Sequence, residues 1–269
     1  MMSNLVQYDA ALLQKLGLSE QEAQELEANG VSLQEYAEMV GSDLDSEADQ
    51  IDARPVRWQI VHAARAFTNE ATGEVRQTLR GVVPYFHVTR ALFLGEGQDR
   101  PDCSSMDGKY GVYFDVELNR EQRRECATCP FNKYGSDPKG GKGKACKEMR
   151  RLFLLEEGSN MSSVVTLPPT SLKVWDRFVS GLLYKGTPLA AVEVELSLEA
   201  KQNGAQTWSV LKSPQIVRRL SPVEYVKVRS VREELEQAAQ RYTVGLDDYM
   251  QGAGDEASVT ADEASRTSA

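Results

Sequence analysis

Four cysteines are the residues of this sequence whose type and spacing best suit chemistry. They are Cys103, Cys126, Cys129 and Cys146, and Pro130 follows the closely spaced central pair. Two thiolates two residues apart can bind one metal ion, and the outer two cysteines would complete a tetrahedral set. Four protein ligands leave no open coordination position, so the pattern predicts a structural Zn²⁺ site rather than a catalytic one. An iron–sulfur cluster with the same ligand type, or four buried thiols without metal, are the alternatives.

The stretch that holds three of these cysteines, residues 126–146, is also rich in lysine, glycine and proline. Such a composition is typical of a long irregular loop rather than of a core element. Glycine-rich backbone and flexible ammonium groups suit phosphate oxygens, and an exposed aromatic ring can stack on a base. Phe131 is expected to pack against the cysteines, whereas Tyr134 is the better stacking candidate. We therefore predict a nucleic-acid-binding surface formed by Lys133, Tyr134, Lys139, Lys142, Lys144, Lys147, Arg150 and Arg151.

The distribution of charge supports an anionic partner, although the whole chain has a formal net charge of −9. Residues 1–53 carry 12 acidic side chains and 1 basic one, and residues 242–269 carry 6 and 1. The residues between them, 54–241, carry 22 acidic and 29 basic side chains. A basic body between two acidic ends indicates an anionic partner for the body, and an uneven but inert surface is the alternative.

The elements that must position these side chains follow from local patterns. The pattern of residues 1–53 predicts a small helical module, because capping boxes begin at Ser19 and Ser32. Gly41 is expected to end the second helix, and residues 42–52 are expected to form an acidic linker.

Residues 54–241 predict a β-rich domain with the zinc region inserted at 103–146 and a last helix that begins after Ser221. A helix is also expected after Pro168, with an apolar stripe that includes Leu172, Trp175 and Leu182. Residues 191–201 alternate as a strand does, and Asn203-Gly204 predicts a hairpin turn after them. This pattern favours an α+β fold built on an OB-like barrel. Residues 242–269 are too polar to bury a core and predict a disordered acidic tail.

The cellular compartment that we expect follows from two patterns that the sequence lacks. There is no long apolar run and no signal-peptide pattern at the N-terminus, so we expect no membrane association and a cytoplasmic protein with reduced thiols.

Taken together, this layout resembles a phage-type single-stranded DNA-binding protein. The matching parts are the four cysteines, the basic run from Lys133 to Arg151, and the acidic pairs Asp247-Asp248, Asp255-Glu256 and Asp262-Glu263. The resemblance implies single-stranded DNA binding in replication or recombination, a metal loop that stiffens one rim of an OB-like barrel, and an acidic tail that recruits partner proteins. It also implies the cytoplasm of a host cell, if the protein is viral.

Two other functions compete with DNA binding. A zinc-containing regulatory adaptor that binds a polymerase or another protein would use the same acidic ends and the same cysteines. A metal-dependent nuclease could use Asp115 and Glu117, which are expected on one face of a strand, with Asp102 upstream, but the lysine expected near such carboxylates is missing. We therefore expect no enzymatic activity.

Overall fold

The structure of the chain is a computed structural model, which describes residues 9, 12–13, 16–51, 55–95, 98, 100–138, 140, 142–159, 161–203 and 206–239. The chain divides into two compact units. One consists of residues 1–55 with 157–161, and the other of residues 56–156 with 162–269. All of the strands given below and all four cysteines belong to the second unit. In the part of the chain that the structure describes, no helix is long and apolar enough to cross a membrane.

The first unit contains the two expected helices, α1 (Glu20–Ala28) and α2 (Leu33–Ile51). Both capping boxes are confirmed. The Glu22 N–H donates to Ser19 Oγ and the Ser19 N–H donates to the Glu22 carboxylate, and Glu35 and Ser32 repeat this arrangement. Leu13, Ala23 and Leu33 form the small apolar centre of the unit.

The expected end of the second helix at Gly41 is wrong, and so is the acidic linker over residues 42–52, because α2 continues to Ile51. A single glycine inside a helix costs about 1 kcal/mol, which is too little to end it when no proline follows. The next proline is Pro55, and it lies beyond the last helical residue.

The second unit is an α+β fold with a large, mostly antiparallel sheet. Its helices are α3 (Pro169–Tyr184) and α4 (Pro222–Ala239), and two short 3₁₀ turns lie at Pro130–Asn132 and Leu189–Ala191. Its strands are β1 (Val56–Val61), β2 (Ala66–Asn69), β3 (Val75–Arg76), β4 (Thr78–Leu92), β5 (Cys103–Ser105), β6 (Tyr110–Asp115), β7 (Arg120–Glu125), β8 (Cys146–Leu155), β9 (Ser163–Leu167), β10 (Val192–Asn203), β11 (Gln206–Leu211) and β12 (Gln215–Arg219).

The expected OB-like barrel is not confirmed, because the sheet does not close. The strand order is β3-β2-β1-β9-β8-β4-β5-β6-β7, and β10 branches from β4 to pair with β11 and β12. Among the residues described, the end strands β3 and β7 do not pair with each other. The long strand β4 explains the branching: its first part pairs with β10 and its remainder pairs with β8.

The two helices cover opposite faces of this sheet. On β8 the side chains alternate, so Leu152 and Leu154 face α3 and its buried Trp175, whereas Phe153 faces α4 and its Leu235. The predicted apolar stripe of α3 is confirmed by this packing. The predicted disordered tail at 242–269 lies outside the described residues, as does Gly204 of the turn expected after Asn203.

Candidate functional site

The four cysteines lie where strands begin or end, so the sheet itself brings them together. Cys103 begins β5 and Cys146 begins β8, and both are paired with Leu92, which ends β4 between them. Directly paired residues of antiparallel strands share one face, so these two thiols lie on the same side of the sheet. Cys126 follows the last residue of β7, and Cys129 precedes the 3₁₀ turn.

The turn that carries Cys126 and Cys129 is fixed by hydrogen bonds from the backbone and from one side chain. The N–H of Cys126 donates to the carbonyl of Lys109 at 2.7 Å, and the N–H of Asn132 donates to the carbonyl of Cys129 at 3.1 Å. The Asn132 side-chain amide also donates to the carbonyl of Cys126 at 2.8 Å. Both thiols are therefore presented on a compact, preformed turn.

All four cysteines line one small cavity of about 20 Å³, together with Gly111, Arg90 and Arg124. That volume corresponds to roughly one water-sized sphere. Gly111 is required here, because a Cβ at its position would lie 2.6 Å from the sulfur of Cys103 and 3.8 Å from that of Cys126. Phe131 packs with Leu92, Ala145 and Cys146, so the prediction that it contacts the cysteines is confirmed.

Burial in this cavity disfavours the deprotonated, negatively charged form of the cysteine side chains. Burial raises the pKa of the Cys103 thiol to about 11 and that of the Cys146 thiol to about 12, and the neighbouring cysteines add to both shifts. Burial also raises the pKa of Cys126, which the Arg90 guanidinium opposes. None of the four cysteines is in a disulfide bond, and without a cation in the cavity the thiols of Cys103, Cys126 and Cys146 stay protonated at neutral pH.

The donor set fits zinc by its chemistry, although the side chains are not arranged as a finished coordination sphere. Among the described residues, no group of three or more His, Cys, Asp or Glu side chains has the geometry to hold a metal ion. Four thiols nevertheless share a space of about one ion, and four thiolates are a standard ligand set for structural zinc. The zinc site therefore stays a prediction.

A chain of polar contacts holds the wall of the cavity to the sheet. The Arg90 guanidinium donates to the carbonyl of Gly108 at 3.1 Å and to Asn132 Oδ1 at 2.8 Å, and it also pairs with Glu148. Asn132 is the residue that fixes the Cys126 carbonyl, so Arg90 links β4, β8 and the cysteine turn in one network.

The basic loop after the cysteine turn is closed by its own hydrogen bonds. The Gly135 N–H donates to the carbonyls of Lys142 and Gly143, at 3.0 and 2.9 Å. Lys133 and Lys142 are exposed, and Tyr134 keeps 69% of its surface open to solvent. The ammonium of Lys144 lies 4.7 Å from the centre of the Tyr134 ring, which is a cation–π contact. The loop therefore presents an aromatic ring and several cations together.

Three of the predicted nucleic-acid ligands are buried or paired with other residues, which corrects the expectation that they are available to DNA. Lys147 is only 4% exposed and donates to the carbonyl of Lys144 at 2.7 Å, with Asp137 at 3.6 Å. Arg150 is half-buried between Glu148 and Asp176, and Arg151 is 2% exposed. The sequence pattern missed this because these residues belong to the buried strand β8 rather than to the loop. Lys139 lies outside the described residues.

The hairpin of β6 and β7 carries an exposed apolar face that the sequence analysis did not identify. Tyr110, Val112 and Phe114 lie on one face of β6 and are 46%, 37% and 56% exposed. The Arg123 guanidinium covers the ring of Tyr110 at 5.0 Å. No local pattern indicated this exposed face, because Tyr113 interrupts the alternation of apolar and polar residues and because apolar residues in a strand are ordinarily expected to be buried.

Two of the three carboxylates considered for a nuclease accept hydrogen bonds from backbone N–H groups. Asp115 accepts from the Leu118 N–H at 3.0 Å, and Asp102 accepts from the Leu94 N–H at 2.7 Å. Glu117 lies in the turn between β6 and β7 rather than on a strand beside Asp115, so the expected shared strand face is wrong.

Comparisons with known families, proteins and structures found no match to this chain. No protein-family model matches the chain, and neither a curated protein nor a solved structure matches it significantly.

Proposed function

We propose that the protein binds single-stranded nucleic acid, with single-stranded DNA in replication or recombination as the specific hypothesis. The observation that carries the proposal is the loop around Tyr134, where a largely exposed ring contacts the ammonium of Lys144 and where Lys133 and Lys142 are also exposed. Charge that follows the phosphates and rings that stack on bases are the two requirements of such binding. An open sheet can meet both, so the proposal does not depend on an OB-like barrel.

The cysteine cavity has a supporting part in this proposal. A structural Zn²⁺ held by Cys103, Cys126, Cys129 and Cys146 would fix both ends of the basic loop, since the loop runs from Cys129 to Cys146. The metal would supply folding free energy to a segment whose described residues, between Cys129 and Cys146, form one short 3₁₀ turn and no strand. Reduced thiols suit a cytoplasmic protein, and the acidic tail would recruit partner proteins.

The test is a titration of fluorescent dT and duplex oligonucleotides at low and high salt. We expect preference for dT and weaker binding at high salt. Tyr134→Ala should weaken binding about fivefold or more, as loss of one stacked base would. Tyr184→Ala is the matched control, because Tyr184 is 93% exposed on α3 and should not contribute. Equal affinities of the two variants would reject the loop as the binding site.

Lysine substitutions give a second measure in the same titration. Lys142→Gln should weaken binding to every single-stranded sequence alike and reduce the salt slope by about 0.7 for one lost phosphate contact. Lys212→Gln, an exposed lysine after β11, should leave the slope unchanged.

A regulatory adaptor is the second candidate, and the exposed face of β6 favours it. Tyr110, Val112 and Phe114 present an apolar surface that a protein partner could cover. An adaptor would bind neither dT nor duplex, so the same titration separates the two functions.

A further inference from the structure

The end strand β7 carries three arginines that have no carboxylate partner among the described residues. They are Arg120, Arg123 and Arg124. Arg120 and Arg123 are exposed, and Arg124 is partly exposed. Because the predicted nucleic-acid ligands on β8 are buried or paired, β7 is the nearer source of cations that an anion can reach beyond the basic loop.

The register of the β6–β7 hairpin places these arginines on two different sides. Arg124 is paired with Gly111, and a Cβ on Gly111 would lie 2.6 Å from the Cys103 sulfur, so Arg124 is on the side of the sheet that holds the cysteines. We call this the cysteine side of the hairpin. Arg120, four residues away on the same strand, shares that side, whereas Arg123 lies on the opposite one.

The two sides of the hairpin differ in charge. On the cysteine side β7 presents Arg120, Gln122 and Arg124, and on the opposite side it presents Glu121, Arg123 and Glu125. Among the described residues of these two strands, Asp115 is the one carboxylate on the cysteine side, and it accepts a hydrogen bond from the Leu118 N–H. The cysteine side therefore favours an anion, whereas the opposite side pairs its two glutamates with the exposed apolar face of β6.

A ring and a cation on the cysteine side repeat the arrangement seen in the basic loop. The Arg124 guanidinium lies 4.7 Å from the centre of the Tyr113 ring, and the Lys144 ammonium lies at the same distance from that of Tyr134. Tyrosine rings and guanidinium planes are both surfaces on which bases stack. The two pairs border one cavity, because Arg124 and Asn132 line it and the Lys144 ammonium lies 3.4 Å from Asn132 Oδ1.

We propose that a single strand of nucleic acid bound at the loop continues across the cysteine side of the hairpin. A base stacks at Tyr113 and Arg124, and a phosphate binds Arg120. Arg120 lies about 13 Å from Arg124 along β7, so the hairpin adds contacts that the loop does not make. The inference rests on the proposed function, because it extends the same binding site from the loop to β7.

The test repeats the salt titration of fluorescent dT with variants of the full-length chain that are matched across the two sides of the hairpin. Arg120→Gln should weaken binding at low salt and reduce the salt slope by about 0.7, as one lost phosphate contact would. Arg123→Gln removes the same charge from the same strand and should leave the slope unchanged. Both side chains are exposed, so neither substitution should impair folding.

The tyrosines give a second matched pair. Tyr113→Leu should weaken binding about fivefold or more, the size expected from losing one stacked base, and Tyr110→Leu on the opposite side should not. If Tyr113→Leu does not fold, the two arginine variants still decide the question.

Equal salt slopes for Arg120→Gln and Arg123→Gln, while Tyr134→Ala still weakens binding, would overturn this inference and leave the proposed function in place. Wild-type protein that does not bind dT would overturn both. An oligoglutamate peptide that competes with dT of equal charge, and that no longer competes in Arg120→Gln, would show that the cysteine side binds an acidic protein segment and would also overturn the inference.

Discussion

The two ends of strand β4 lie in very different surroundings. Its first part contributes Leu79 and Val83 to a core of fifteen buried apolar residues that α3 covers. Its last residue, Leu92, belongs to a cluster that has two other buried members among the described residues, Ala145 and Cys146. One end of the sheet is therefore stable through apolar burial. The other end depends on hydrogen bonds, on close packing around the sulfur atoms, and on the metal ion that we propose the four thiols bind.

The largest effect should come from the apolar end. Trp175 is fully buried in α3, with its ring 5.4 Å from that of Phe86 in an edge-to-face contact. Trp175→Ala should lower the free energy of unfolding by about 3–5 kcal/mol, because the cavity cannot refill. Denaturant unfolding measures this change. Tyr184→Ala, on the same helix but exposed, should cost less than about 0.5 kcal/mol, and similar values for both variants would contradict the assigned core.

Acid should destabilise the middle of β4 through His87. Burial, together with the Arg151 charge, lowers the pKa of His87 from 6.5 to about 4. The folded state thus binds this proton less readily than the unfolded chain, so the stabilising contribution is complete above pH 6.5 and is lost as the pH falls through 4. The loss should reach about 3 kcal/mol.

Unfolding curves at several pH values measure that loss. His87→Gln should flatten the pH dependence of stability between pH 6.5 and 4. A wild-type stability that stays constant over this range would contradict the burial of a neutral imidazole.

Two glycine substitutions, one at the cysteine end of the sheet and one in helix α3, should change the free energy of unfolding in opposite directions. Gly111→Ala places a methyl group 2.6 Å from the Cys103 sulfur and should cost about 1–3 kcal/mol. Gly181→Ala, inside α3 with no atom within 4 Å of the new methyl group, should stabilise by about 0.5–1 kcal/mol. Thermal unfolding of both variants checks the signs, and a neutral Gly111→Ala would show that the cysteine cavity is not tightly packed.

Much of the fold could be predicted from local patterns. The capping serines of α1, α2 and α4, the apolar stripe of α3 and the alternation of β10 each depend on neighbours in sequence, and all are confirmed. Sheet closure could not be predicted, because it depends on which distant strands meet. Nothing local in β4 indicates that it pairs with β10 over one part and β8 over another.

The candidate site, too, could be predicted only where local sequence patterns were sufficient. The thiols could be grouped from their number and spacing, since a metal site requires few residue types. The basic run could not be divided by sequence alone. Lys142 lies in a loop and Arg151 in the centre of a sheet, although both belong to one continuous cationic stretch. Whether a residue is buried depends on how the strands assemble, and charged residues are usually exposed. A charged residue in a buried strand, such as Arg151, is therefore not recognised from sequence.

The central claim is that a metal bound by the four cysteines holds the basic loop in place. Its most direct test is hydrogen–deuterium exchange of protein purified without chelator, with zinc measured by elemental analysis, before and after a strong chelator is added. We predict one zinc per chain, and faster exchange over residues 126–146 after chelation while residues 163–167 in the apolar core stay protected. Protein without zinc or another transition metal, or exchange over 126–146 that chelation does not change, would contradict the claim.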